Sequence, residues 1–532
     1  MNRRQFVNAL GQGSLATMIG LNASRLWAQT SGHELPVNCS PPAHGTAKHI
    51  TFNTSINVTP RKSVWDLSSA EVTRLQSAYA ALRNLTITSP NDPRGWMQQA
   101  NVHCFNCSGG YDPSNVEIHG GWWFLPWHRC YLHVHERILG KLIGDPTFRL
   151  AYWDWDTYPS HAIVPPPFWT GSLSNPYRGV LATDQIPSGI SGPARMNIVL
   201  GTHNTAVFMG GPSDPAHNVF PSGVLENNPH GPVHIWTGDP EETGGPTRPS
   251  PAGCFYPTDE GGPVIDQSQV PPPAGPNGCL DMGVLATAAQ DPLFFAHHSN
   301  IDRLWDVWLN TPGSKGNWTK PNWLSHPFTF YDENRNWIYI TVADVLAQEE
   351  QNNLRYAYQP PQGGTPFMAQ AKPRQVQGRR LRVVKPLVVA SSVKAIPIGT
   401  KPHVKSVAVP TEHKRNLSAL AAGSAGNYLL HIDGLTLPPG QSTILDVYAG
   451  DPNANLDTEV GPSFVGTFSI VASGPRHMHA TVRNAVFELR PETAALLATQ
   501  KNLTVTLVPK LVNGKEPKAS NLSYKRIYLS TE

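Results

Sequence analysis

The sequence gathers histidines into four short stretches: "HCFNC" with His103, "HGGWWFLPWHR" with His119 and His128, "ENNPHGPVHIWTG" with His230 and His234, and "DPLFFAHHSNIDRLW" with His297 and His298. Imidazoles without a matching set of thiolates or carboxylates suit copper, zinc, iron or nickel. A single histidine among aromatics is ordinarily a core residue, but His230 and His234 sit one helical turn apart and project from the same face. Two groups of three imidazoles call for two metal ions. Asp302, four residues after His298, is expected to hold a ligand ring through its second nitrogen, as metal-bound histidines usually require; its other reading is a salt bridge to a surface arginine. "CFNC" also has the spacing of a redox or zinc CxxC pair.

These residues need elements to position them. In "SSAEVTRLQSAYAALRNL" (68–85), Val72, Leu75, Tyr79 and Leu82 recur at helical spacing behind a serine cap and Glu71. A second helix should open near Pro126 and stop at Gly144, and a third should cover 291–310. Residues 156–282 are crowded with Pro, Gly and Asn and read as long loops. Beyond 403, stretches such as "STILDVYAG" and "NLTVTLVPKL" alternate as strands do. The expected architecture is a mainly α catalytic domain over 29–359, a helical bundle with long loops, then an exposed Pro/Gly-rich and basic linker over 360–402. An all-β sandwich over 403–532 closes the chain.

With 532 residues, 45 Gly, 51 Pro and only 15% charged residues, the chain describes a compact, loop-rich protein of two or three domains, with room for a deep site. Arg3 and Arg4 precede a weakly apolar run ending at Ala28, with no acidic residue before Glu34. This reads as a removable twin-arginine-type export signal over 1–28 that engages an export machinery for folded proteins. The expected location is periplasmic or secreted. Loss of Arg3, Arg4 and Arg25 takes the formal charge from +3 to zero, which gives no attraction to nucleic acid. No later stretch is long and apolar enough for a membrane span.

The four histidine stretches, in this order and spacing, resemble the copper-A and copper-B regions of the polyphenol oxidase family, the plant-type catechol oxidases and tyrosinases. The likeness is densest over 100–310, and residues 328–359 resemble the family's middle region. It implies two copper ions, copper A on His103, His119 and His128 and copper B on His230, His234 and His298. The family pattern favours His298 over His297. It further implies a thioether between Cys107 and His119, a disulfide between Cys39 and Cys104 and another between Cys254 and Cys279, with Cys130 left buried in a helix. An even cysteine count in an exported chain would by itself suggest three disulfides.

The resemblance also implies the reaction: O2 and small phenolic substrates meet at the coppers, and o-diphenols become o-quinones. In the family the C-terminal domain covers the copper site and keeps the enzyme latent. Glu226 matches the position where a carboxylate orients a water near copper B, although it also reads as a charge at a helix start. Leu285 stands where the plant enzymes carry a phenylalanine gate over copper A, so a wider entrance is expected. Gly231 lacks the asparagine associated with monophenol handling, which puts diphenol oxidation first and monophenols second. Two rivals remain: a hemocyanin-like reversible O2 carrier, and a dinuclear hydrolase, which would want bridging carboxylates that neither group contains.

Overall fold

A computed structural model describes residues 45–107, 117–175, 178–214, 220–238, 281–285, 287–346, 353–362, 377–437, 441–472, 481–517 and 520–532. The first part is helical. Helix α1, Ser69–Thr88, starts where the sequence predicts. Ser68 and Glu71 form a reciprocal capping box, a device that contributes about 1 kcal/mol, and Leu75, Ala78, Tyr79 and Leu82 are buried. Helix α2, Trp96–Asn106, carries His103 in its last turn, and its residues are almost all buried.

Helix α3, Phe124–Leu142, holds Pro126 in its first turn, where no intrahelical N–H is required, and ends before Gly144 at φ +70°. Helices α4, Pro193–Leu200, and α5, Gly231–Gly238, are short and flanked by loops. In α6, Leu293–Leu309, the first-turn Leu293 N–H is taken by the Asp291 carboxylate at 2.9 Å. Arg178 clamps the same carboxylate through two nitrogens at 2.6 and 2.7 Å, tying the start of α6 to the preceding loop.

The C-terminal region is β-rich. One sheet has five strands: β1 (Pro221–Ser222), β2 (Leu387–Pro397), β4 (Tyr428–Leu437), β7 (Thr481–Glu488) and β9 (Ser523–Thr531), ordered β1-β7-β4-β9-β2. A second has four: β3 (His403–Ala408), β5 (Thr443–Ala449), β6 (Phe464–Ile470) and β8 (Asn502–Lys510), ordered β6-β5-β8-β3, and a short two-stranded pair joins Gln377–Arg380 to Ser424–Ala425. In the two larger sheets all neighbours are antiparallel except β1, which comes from the helical part and runs parallel to β7, pairing Pro221 with Asn484. The two parts of the chain thus share a sheet. Strand β6 is buried along its whole length because the helical part covers it. Strand β2 falls inside the stretch expected as a linker; it pairs with the last strand and confines any unpaired connection to a shorter segment. Among the described residues no helix is long and apolar enough to cross a membrane.

Candidate metal centre

Three elements bring His103, His119 and His128 together: the end of α2, the loop before α3, and the second turn of α3. One ring nitrogen of each lies within 4.8 Å of the others, and all three residues are buried. A second buried group joins His230 and His234, from the start of α5, with His297 and His298 of α6 under the same limit. The groups are adjacent, since the His128 and His298 rings stack at 4.2 Å between centroids.

Backbone carbonyls fix the rings. His103 Nδ1 faces Leu285 C=O at 2.8 Å, His128 Nδ1 faces Phe124 C=O at 2.7 Å, and His234 Nδ1 faces Met282 C=O at 2.8 Å. Each such bond places the proton on Nδ1 and leaves the Nε2 lone pair for a metal. Nε2 of His103 and His128, and both ring nitrogens of His119 and His230, are buried without a hydrogen-bond partner. Buried polar atoms are ordinarily paired, so this concentration of unpartnered imidazole nitrogens fits the binding of a metal cation. Burial first, and neighbouring imidazoles second, hold His103, His128 and His298 well below the ordinary histidine range, and His234 is lowered to about 3 by burial. The rings are neutral, the state in which imidazole binds metal. His297 differs from its neighbour, because its Nδ1 accepts the Trp155 indole N–H at 3.1 Å.

The expectation for Asp302 is corrected. Its carboxylate meets no histidine but takes Arg129 Nε at 2.6 Å and the Tyr358 hydroxyl at 2.6 Å, with Tyr356 and Arg61 also on it. One turn beyond His298, it lies on the side of α6 where two buried guanidiniums and two phenols compete for it. Its alternative reading, a salt bridge, holds, though in the interior.

Glu226 is close to the site. Its Oε1 accepts the Gly120 N–H at 2.6 Å, its Oε2 is buried without a partner, and burial pushes its carboxyl up to about 8 against the opposing pull of Arg483. Leu285 reaches His103 through its backbone carbonyl. Glu117, which sequence reasoning missed, accepts the His119 N–H at 2.9 Å and lies 3.6 Å from His119 Nδ1. Its only signal was its place two residues before His119. Cys104 is disulfide-bonded, and Cys107 is buried with its thiol toward Cys104 C=O at 3.3 Å. Cys130 is buried in α3 as a free thiol, while Cys39, Cys254 and Cys279 lie outside the described residues.

The C-terminal region closes over this centre. Leu285 N–H donates to Ala472 C=O at 2.9 Å, and Ser469 Oγ donates to Asn227 C=O at 2.7 Å. A Cβ on Gly231 would meet Ser469 Oγ at 2.2 Å, and one on Gly120, at φ +79°, would meet Arg483 Nε at 2.4 Å. Both glycines lie beside metal-centre histidines and leave the space these two side chains fill. Farther out, Arg195 of α4 grips Asp446 of β5 through Nη1 at 3.1 Å and Nη2 at 2.9 Å, and Lys510 of β8 joins Asp446 at 2.7 Å.

Two adjacent groups of neutral imidazoles, buried in a helical core, define a dinuclear metalloprotein. The common central domain of tyrosinase matches residues 93–187 and 213–311, and the polyphenol oxidase middle domain matches 317–371. The chloroplastic polyphenol oxidase of Malus domestica is 30% identical over 526 residues, covering 90% of this chain and 79% of that protein. The latent form from Prunus armeniaca, also chloroplastic, is 29% identical, covering 91% and 78%. Among solved structures, recombinant latent aurone synthase, a polyphenol oxidase, superposes with a TM-score of 0.68 at 25% identity over 93% of both chains. Latent apple tyrosinase gives 0.67 at 25% identity over 91% of this chain and 100% of its own. The chain belongs to the polyphenol oxidase family, and its cofactors are two copper ions.

The same relatives correct the expected location. Curated proteins matching nearly the whole chain are chloroplastic, which overturns the periplasmic or secreted reading. An arginine pair ahead of an apolar run indicates that a chain is to be moved across a membrane and carries no information about which membrane.

Proposed function

We propose that this protein oxidises o-diphenols to o-quinones at the expense of O2, with monophenols as secondary substrates, and that it is latent while the C-terminal region stays in place. The observation that carries this reading is the pair of adjacent buried imidazole groups, in which Nε2 of His103 and His128 and both ring nitrogens of His119 and His230 have no partner and Nε2 of His234 and His298 face each other at 3.2 Å. His103, His119 and His128 would hold copper A, and His230, His234 and His298 copper B. His298 is preferred to His297 because the Trp155 N–H already occupies the latter's Nδ1. Bound there, the copper pair supplies the redox chemistry by which two diphenols give four electrons and four protons to one O2, yielding two quinones and two waters.

The chain's own residues orient and exclude. The carbonyls of Leu285, Phe124 and Met282 hold three rings in the metal-binding tautomer. Glu226, with Oε2 unpartnered and its carboxyl raised to about 8, is positioned to take the proton from a phenol hydroxyl in its ionised form, so this step should strengthen as pH rises toward 8. Leu285 shapes the approach to copper A. A thioether between Cys107 and His119 would further restrict the His119 ring; after disulfide reduction, the single tryptic peptide 95–129 that carries both residues would be lighter by two hydrogens. The disulfides Cys39–Cys104 and Cys254–Cys279 complete this reading.

For the chain as a whole we keep a removable leader (1–28), a catalytic part (29–359), a connection within 360–402 shortened by β2, and a C-terminal part (403–532). Its two larger sheets, with most of the central-strand residues buried, support face-to-face packing as a sandwich. Oxygen uptake with a simple catechol tests the function. Copper-loaded protein should consume O2 slowly by itself and much faster with a mild detergent that loosens the cover, and metal-free protein should consume none in either condition. Folded dicopper protein that binds O2 yet consumes none with catechol would favour the carrier reading.

A further inference from the structure

Helix α3 has a second functional-looking face. His133, Arg137 and Lys141 recur every four residues, so they line one stripe, turned away from His128. The stripe forms one wall of a cavity of about 370 Å³ that Arg149 and Arg355 also line, with Phe148 and Leu354 as apolar wall. That volume is near the lower end of small-molecule sites, roughly 300–1,000 Å³.

The polar groups of this cavity are unevenly satisfied. Each carboxylate already has partners in the protein: Glu136 takes Arg61 Nε at 2.9 Å and Leu150 N–H at 2.8 Å, Asp145 takes Arg74 at 3.1 Å, and Glu333 takes Arg137. Two N–H donors stay unpaired, one on the His133 ring and one on Arg149, together with the acceptor nitrogen of the neutral His133 ring. His133 is 4% exposed with neither ring nitrogen bonded, and Arg149 Nε is buried, unbonded and 3.7 Å from the nearest carboxylate oxygen. Lys141, at the mouth, is exposed. A carboxylate would accept from both of these N–H groups, and the surrounding guanidiniums favour its charge.

We propose that this cavity binds a small organic carboxylate, whose oxygens accept from His133 and Arg149 while Arg137 and Lys141 supply positive field and Phe148 and Leu354 take its carbon body. Burial, then Arg137, Arg61 and Arg149, lower the His133 pKa well below the ordinary range, which reports the same excess of positive charge. The site lies apart from the metal centre and does not depend on the copper reading.

Isothermal titration of the full-length protein with succinate, at constant ionic strength in chloride, tests it. Saturable binding of one succinate per chain is expected, equal in copper-loaded and metal-free protein. His133→Phe keeps the ring packing and should weaken binding at least tenfold, as should Arg149→Met; Lys141→Gln, on the surface, should weaken it about threefold. Absence of saturable binding to the wild type would overturn the proposal, as would an unchanged affinity in Lys141→Gln together with either buried variant. If neither buried variant folds, Lys141→Gln decides alone.

Discussion

Arg195→Leu should convert a latent enzyme into a partly active one. Arg195 donates to both oxygens of Asp446 at 3.1 and 2.9 Å and to Thr467 Oγ1 at 2.9 Å, and its guanidinium stacks 3.9 Å from the Phe464 ring centre. The substitution removes these bonds and leaves Asp446 with Lys510 at 2.7 Å and Thr467 at 2.6 Å. Because Asp446 keeps two partners, the loss belongs at the low end of the range for a broken buried pair, about 3 kcal/mol. At about 1.4 kcal/mol per tenfold, full expression in the closure equilibrium would raise the open fraction about 100-fold. The remaining anchors at Leu285, Asn227 and β1 share the load, so a 10- to 100-fold rise in catechol-dependent oxygen uptake by the full-length protein is expected. A folded, dicopper Arg195→Leu protein with the wild-type rate would refute the idea that this contact helps hold the cover.

The same cluster sets a pH dependence. Burial pushes the Asp446 carboxyl up, but Lys510 and Arg195 more than offset it and hold it at about 2. A depressed carboxylate stabilises closure fully above its unfolded value of about 4 and loses that contribution as pH falls toward 2. This cluster's contribution to closure should therefore be constant between pH 5 and 8 and be lost in stronger acid. Asp446→Asn should abolish that acid transition in intrinsic fluorescence. Asp302→Asn should destabilise the fold by about 3–5 kcal/mol in urea melts, because Arg129 and Arg61 lose their shared counter-charge, without changing copper content. Gly231→Asn should force Ser469 off Asn227 and raise the full-length oxidation rate. An unchanged latent rate in a folded variant would count against Ser469 as part of the cover.

The metal centre was legible in the sequence because residue type and spacing carry it: His230 and His234 share a helix face, and "DPLFFAHHSNIDRLW" announces its own capped helix. The helix starts at Ser68 and before Pro126 were legible for the same local reasons. What fixes the rings was not. Leu285 and Met282 act through backbone carbonyls, which every residue has, and they are brought from 182 and 48 positions away. Asp302 was misread since its i+4 spacing from His298 says nothing of Arg129 and Arg61, which arrive from other elements. Strand β2 was hidden by the basic, Pro-containing stretch around it; its pairing with β9 decides its conformation. The Arg195–Asp446 contact spans 251 residues and left no local mark.

If each three-imidazole group holds one copper, turnover needs both groups intact. Elemental analysis of the copper-loaded protein, paired with catechol-dependent oxygen uptake, tests it most directly. Wild-type protein should hold two coppers per chain, and His128→Ala and His230→Ala one each, both without turnover. Two coppers retained in either variant, or full turnover with one, would contradict it.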